Sequence, residues 1–227
     1  MLPLYDETPH RRTPIVVVTI IAACVGVTVY QYYLWLAHSE ARVDRFMYTW
    51  GLVPAQLRPG APAEVWWTTL TSMFLHGGWG HLAGNCWFLW LFGNNVEDRL
   101  GHLRFTVFYA VTGLAAAGAQ FVFAPGSTTV MVGASGAISG VLGAYFRYLP
   151  RSIIITLTPL WFAPLLPIPA FVFMLLWFGF QIWNGIADWL PSLSGGVAWW
   201  AHVGGFVAGA LLARPFAPGS GRTSRRR

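Results

Sequence analysis

Two residues in this sequence have the types and settings of a nucleophile and its base: Ser135 in "GASGAISG" (residues 133–140) and His202 in "WWAHVGGFVAGALLA" (residues 199–213). An imidazole within reach of a serine hydroxyl removes its proton as the oxygen attacks a carbonyl, then returns a proton to the leaving amine. His81 and Asn85 stand four apart in "HLAGN" and so share one face of a helix. Both can donate hydrogen bonds to the oxyanion that such an attack creates, and losing one donor of this kind costs about 10²-fold or more in rate. A serine in the first turn of a helix also has free backbone N–H groups and the positive end of the helix dipole beside it. Gly133 and Gly136 leave room for a substrate backbone to come close.

The elements that must position these residues belong in lipid. Hydrophobic residues make up 56% of the 227 and charged ones only 10%, against about a quarter in soluble domains, so the chain reads as an all-α polytopic membrane protein. Apolar runs place six spans, at Thr13–Ala37, His81–Val96, Leu103–Phe123, Ser135–Leu149, Pro169–Ile186 and Trp199–Leu212. All 14 basic residues are Arg, and their positions report topology. Arg11, Arg12, Arg99, Arg104, Arg147, Arg151, Arg214, Arg222, Arg225, Arg226 and Arg227 fall on one side of a six-span chain, and only Arg42, Arg45 and Arg58 fall opposite. That bias predicts cytoplasmic termini and an external loop from 38 to 80, and it accounts for the net charge of +6 without a nucleic-acid partner. A cleaved signal peptide is the competing reading of the first span. Asp6 and Glu7 in the preceding segment, and an apolar run longer than the usual h-region of about 7 to 15 residues, oppose it.

Spans two, four and six start from the external side, which brings His81, Asn85, Ser135 and His202 to similar depth in one leaflet. Each needs a hydrogen-bond partner in a dry site, so mutual convergence is the least costly arrangement. Residues 47–79 are interrupted by Pro54, Pro59, Gly60, Pro62 and Gly77 and are expected in the headgroup layer. The proline-rich "SIIITLTPLWFAPLLPIP" (residues 152–169) is expected as a bent interfacial or re-entrant approach to the fifth span. Residues 1–12 read as a cytoplasmic tail, 13–215 as the membrane domain and 216–227 as a disordered basic tail that anionic lipid attracts. Cys24 and Cys86 lie in apolar runs and offer neither a disulfide framework nor a CxxC metal site, so no metal and no cofactor is expected. His10, His38 and His102 fall in flanks and read as solvated, and Asp188 reads as a wet loop residue rather than a third triad member. His76 reads either as a supporting donor behind the site or as an interfacial residue.

Taken in order, "HGGWGHLAGN", "GASGAISG" and "AHVGGFVAGALLA" resemble the second-helix His and Asn motif, the GxSG nucleophile and the sixth-helix His with GxxxG of the rhomboid intramembrane serine proteases. The resemblance implies a six-transmembrane-helix bundle around a water-filled cavity open to the outside, with a membrane-embedded first loop at residues 38–80. It further implies a Ser135/His202 dyad without an acid, oxyanion stabilisation by His81, Asn85 and the Ser135 backbone N–H, and tight packing of the sixth helix on the fourth through Gly205 and Gly209. Small residues four apart permit such an approach on physical grounds as well. The chain departs from the pattern twice. Many relatives carry Trp-Arg in the first loop where Trp67-Thr68 stands here, and some place an aromatic ring over the catalytic imidazole where Ser139 stands here. Other packing, by aromatics such as Trp199 or Trp200, must then hold His202.

The expected activity is therefore a serine endopeptidase of the plasma membrane of a bacterium, cutting single-span or polytopic membrane proteins near the external leaflet with water and no cofactor. An intact helix shields its backbone, so substrates with Gly, Ala, Ser or Pro near the external end are expected, with access beside the bulky "FVFMLLWFGFQIW" face of span five and the loop from 187 to 198 as a cap. The alternative is a catalytically silent rhomboid-like protein that binds client transmembrane helices. A transporter is opposed by unequal halves and by the lack of an intramembrane acid pair, and a structural scaffold has no use for a reactive serine.

Overall fold

A computed structural model describes residues 1–9, 11–161, 163–190 and 196–217. His10, the basic tail from residue 218 and the middle of the loop expected as a cap lie outside the described residues. Among the described residues the chain forms α1 (Ile15–Ala37), α2 (Glu40–Trp50), α3 (Ala63–Thr71), α4 (Trp79–Leu100), α5 (His102–Phe123), α6 (Ser135–Tyr148), α7 (Ala170–Ala187) and α8 (Trp199–Phe216). Three short strands, β1 (Leu2–Asp6), β2 (Ile153–Leu157) and β3 (Leu165–Pro169), make an antiparallel sheet in that order.

The central element is α6. Its residues from Ala137 to Tyr145 are all buried, so the helix is enclosed on every side, and its small residues let the neighbours come near. A Cβ on Gly205 of α8 would collide with the Gly136 carbonyl, one on Gly209 with the Gly140 carbonyl, and one on Gly143 with the Phe206 carbonyl. Helices α6 and α8 thus meet backbone to backbone. Further from this seam the core is aromatic: Phe92 of α4 meets Tyr145 edge-on at 5.1 Å and Phe173 of α7 stacked at 6.1 Å.

Among the described residues three helices, α1, α5 and α7, are long and apolar enough to cross a membrane. The 14 residues of α6 rise only about 21 Å, short of the roughly 30 Å of hydrocarbon. The last turn of α4 carries Glu97, Asp98 and Arg99. Glu97 is fully buried there and caps α1 from outside it, accepting from the Val16 and Val17 N–H groups at 2.9 and 2.8 Å.

Several expectations are corrected. The chain is mostly helical, with one small antiparallel sheet: the segment at 152–169, expected as a bent interfacial or re-entrant approach to the fifth span, forms a hairpin. Ile153–Ile155 supply β-branched residues, and Pro167 and Pro169 are tolerated because β3 is an edge strand. Within residues 1–12, β1 pairs with β2, and the tail's Asp6 is buried. Its carboxylate accepts from Asn95 Nδ2 at 2.7 Å, Tyr145 OH at 2.6 Å, Ser152 Oγ at 2.7 Å and the Thr8 N–H at 2.9 Å. The second span, expected to end at Val96, runs on as α4 to Leu100 and stops at Gly101, where φ is +78°. His102 is only half-exposed and lies 2.6 Å from Glu97 through Nδ1. The broken stretch at 47–79 contains the helix α3 and single 3₁₀ turns at Pro54–Gln56 and Ser72–Phe74.

Candidate active site

The segment that delivers Ser135 is held from below and beside by the loop between α1 and α4. Leu52 and Met131 exchange backbone hydrogen bonds at 3.0 and 2.7 Å, Ala55 N–H donates to the Ser127 carbonyl at 3.0 Å, and Gly133 N–H donates to the Ser72 carbonyl at 2.9 Å. Gly133 adopts φ +117°, a conformation in which an L side chain is strained, and this turn sets the start of α6. Ser135 is the first residue of that helix, so the N–H groups of its first turn have no intrahelical acceptor.

His202 sits one turn into α8, whose N-terminus is tied to α5 by the Gln120 side chain, the acceptor for Ala201 N–H at 3.1 Å. The α6/α8 seam then brings Nε2 of His202 to 2.8 Å from Oγ of Ser135, across 67 residues of sequence. On the other side of the ring, Nδ1 lies 2.8 Å from Oε1 of Gln181 on α7. Trp177, one turn earlier on α7, packs a tilted ring at 6.2 Å from the imidazole, and Trp199 packs edge-on at 6.1 Å. Trp200, the other aromatic expected to hold the ring, instead stacks on Phe123 at 4.2 Å and on Trp189 at 5.4 Å. Ser139 donates to the Ser135 carbonyl at 2.6 Å and is buried against α8, where a ring would have no space beside Gly205.

His81 and Asn85 converge on the same place. Gly77 N–H donates to Nδ1 of His81 at 3.4 Å, which leaves the proton on Nε2 as a donor. Asn85 is buried and its Nδ2 has no acceptor among the described residues. A buried donor left this way costs about 1–3 kcal/mol, a penalty that a negative oxygen in the site would remove. Both groups face Gly133, where an added Cβ would come within 2.7 Å of His81 Nε2 and 3.3 Å of Asn85 Nδ2. The bareness of Gly133 therefore makes room for the two donors. Gly136 faces the other way: a Cβ there would press on Ala116 at 2.8 Å, so this glycine serves helix packing rather than substrate approach.

His76 is buried behind His81, the two rings meeting edge-on at 5.2 Å. Its backbone is clamped by Gln31 of α1, which donates to the His76 carbonyl at 3.0 Å and accepts from its N–H at 3.2 Å. Burial, and secondarily the neighbouring His81, push the His76 imidazole down to about 4, so it stands neutral against His81. Thr68, where a first-loop arginine was absent, is buried and donates to the Val65 carbonyl at 2.6 Å.

His81, Asn85, Ser135, Trp177, Gln181 and His202 all line one cavity of about 550 Å³. No group of three or more His, Cys, Asp or Glu side chains suited to a metal occurs among the described residues. Sequence reasoning overlooked Gln181, Gln120, Gln31 and Glu97. The signal was available for the three glutamines, each a lone amide in an apolar run that must find a partner in a dry interior.

Comparison with known proteins adds an independent line. The Rhomboid domain profile matches residues 63–218. The chain is 46% identical over 79 residues to rhomboid protease GluP of Bacillus subtilis (strain 168), covering 35% of this chain and 15% of that protein. It is 30% identical over 164 residues to rhomboid protease AarA of Providencia stuartii, covering 65% and 54%. Over 170 residues it is 29% identical to inactive rhomboid protein 1 of Danio rerio, covering 74% and 17%. The chain thus spans no more than about half the length of these relatives.

Proposed function

The chain belongs to the rhomboid family, an integral membrane family with protease members, and from that premise we propose that it is an active intramembrane serine endopeptidase. Ser135 Oγ attacks the substrate carbonyl while its proton passes to Nε2 of His202. The resulting oxyanion takes hydrogen bonds from His81 Nε2–H, Asn85 Nδ2–H and the Ser135 backbone N–H. His202 then protonates the leaving amine, and water, activated by the same imidazole, hydrolyses the acyl-enzyme. The observation that carries this reading is the 2.8 Å contact between Ser135 and His202 in a cavity where Asn85 presents a buried donor with no acceptor.

The reading extends to topology and substrate. Helices α1, α4, α5, α6, α7 and α8 are the six membrane-embedded helices of the domain at 13–215, the short α6 being enclosed by its neighbours instead of facing lipid along a full crossing, with both termini in the cytoplasm of a bacterium and the site near the external leaflet. Substrates are membrane proteins whose helices unwind locally to expose a carbonyl, because a helical backbone has its polar groups satisfied internally. Similarity to a relative named inactive favours one second reading, a silent protein that binds client helices. The two differ in reactivity toward a fluorophosphonate. Labelling of the reconstituted protein that disappears in Ser135→Ala and falls severely in His202→Ala is expected. A wild type that never labels while remaining folded would leave only the binding role.

A further inference from the structure

We infer that Gln181 of α7 is a positioning residue that sets the tautomer of His202, an inference that rests on the proposed Ser135/His202 dyad. Gln181 is buried, with 3% of its surface exposed, in a helix whose other faces carry Phe, Leu and Trp. Its amide orientation follows from its two contacts. Nε2 donates to the Trp177 carbonyl one turn earlier at 3.3 Å, which turns Oε1 toward Nδ1 of His202 at 2.8 Å. A carbonyl oxygen only accepts, so Nδ1 carries the proton and Nε2 is the bare nitrogen that faces the Ser135 hydroxyl at 2.8 Å. The opposite tautomer would put the proton on Nε2, which then could not accept from the Ser135 hydroxyl, and would leave Gln181 Oε1 without a donor.

The arrangement is a one-way chain of hydrogen bonds from Ser135 Oγ through His202 and Gln181 to the backbone of α7. It does what a buried carboxylate does in a triad, orienting the ring and choosing its tautomer, without burying a negative charge at membrane depth. It also differs from a triad, because a neutral amide gives a protonated imidazole far less stabilisation than a carboxylate does. Trp177 supplies the apolar wall on the same helix, so α7 contributes both the direction and the packing of the base. Titratable groups that line the cavity with His202 are His81 of α4 and Asp188 at the end of α7.

The test uses the full-length protein in lipid, read in three ways. For Gln181→Leu, we expect fluorophosphonate labelling and kcat on a single-span substrate to fall about 10²-fold with KM and thermal midpoint little changed. Gln181→Glu restores most of the rate and moves the acid limb of its pH profile to higher pH, because the new carboxylate holds a protonated imidazole. With ¹⁵N-histidine labelling, NMR of wild type shows His202 protonated on Nδ1, and Gln181→Leu mixes the tautomers. Wild-type labelling in Gln181→Leu, or equal loss in Gln181→Leu and Gln181→Glu with native midpoints, overturns the inference. An Nδ1-protonated ring in a wild type that never labels sinks the hydrolase reading instead.

Discussion

Gly205 of α8 rests against the Gly136 carbonyl of α6, and this backbone contact sets how near His202 comes to Ser135, each one helical position or one turn away along its own helix. The distance between these two side chains is therefore a packing distance. Gly205→Ala should push the helices apart, costing about 1–3 kcal/mol of stability through overpacking and at least about tenfold in fluorophosphonate labelling through the misplaced base. Gly118→Ala, where an added Cβ inside α5 meets nothing within 4 Å, is the matched control. It should leave the labelling rate unchanged and should not lower the thermal midpoint, since Ala favours a helix interior over Gly by about 0.5–1 kcal/mol.

Asn85→Ala should lower kcat by about 10²-fold while leaving the fold intact. Its Nδ2 has no acceptor among the described residues, so the variant removes no internal hydrogen bond made by that nitrogen. Turnover of a single-span substrate and a thermal scan in detergent check both halves. Wild-type turnover in this variant would take Asn85 out of the oxyanion role.

Glu97→Ala should act on stability and not on chemistry. It strips the acceptor from the Val16 and Val17 N–H groups at the start of α1, one of them on a fully buried residue, and from His102. A loss of about 3 kcal/mol is expected, seen as a lower thermal midpoint, with labelling of Ser135 retained well below that midpoint.

Asp6→Ala should unpin β1. Asn95, Tyr145 and Ser152 would lose their common acceptor, at a cost of at least about 2 kcal/mol, and Asp6→Asn should fall between the two because its amide can replace only one accepting oxygen. Thermal midpoints of the three proteins order as wild type, Asp6→Asn, Asp6→Ala if the carboxylate is the anchor. Equal midpoints would mean that the strand pairing alone holds the segment.

Residue type and spacing sufficed for the membrane character, the family resemblance and the grouping of His81, Asn85, Ser135 and His202. Hydropathy is a local sum, and an i, i+4 pair shares a face wherever its helix goes. The hairpin at 153–169 was hidden because its prolines read as breakers, and only the pairing of β2 with both neighbours reveals β3 as an edge that tolerates them. Asp6 falls in the segment read as a cytoplasmic tail, and its anchoring role was hidden because its partners lie 89, 139 and 146 positions away.

Gln181 marks the boundary between the two kinds of knowledge. That a lone amide in an apolar helix needs a partner follows from its polarity, but which partner it takes depends on how far α7 is rotated and slid along α8. That placement is set by Trp177, Phe178 and Phe206 packing together, with ring centroids 6.0 and 4.7 Å apart from Phe206. Composition and periodicity carry no information on such a rotation, because many side-chain packings satisfy the same apolar pattern and a hydrogen bond tolerates an error of only a few tenths of an ångström.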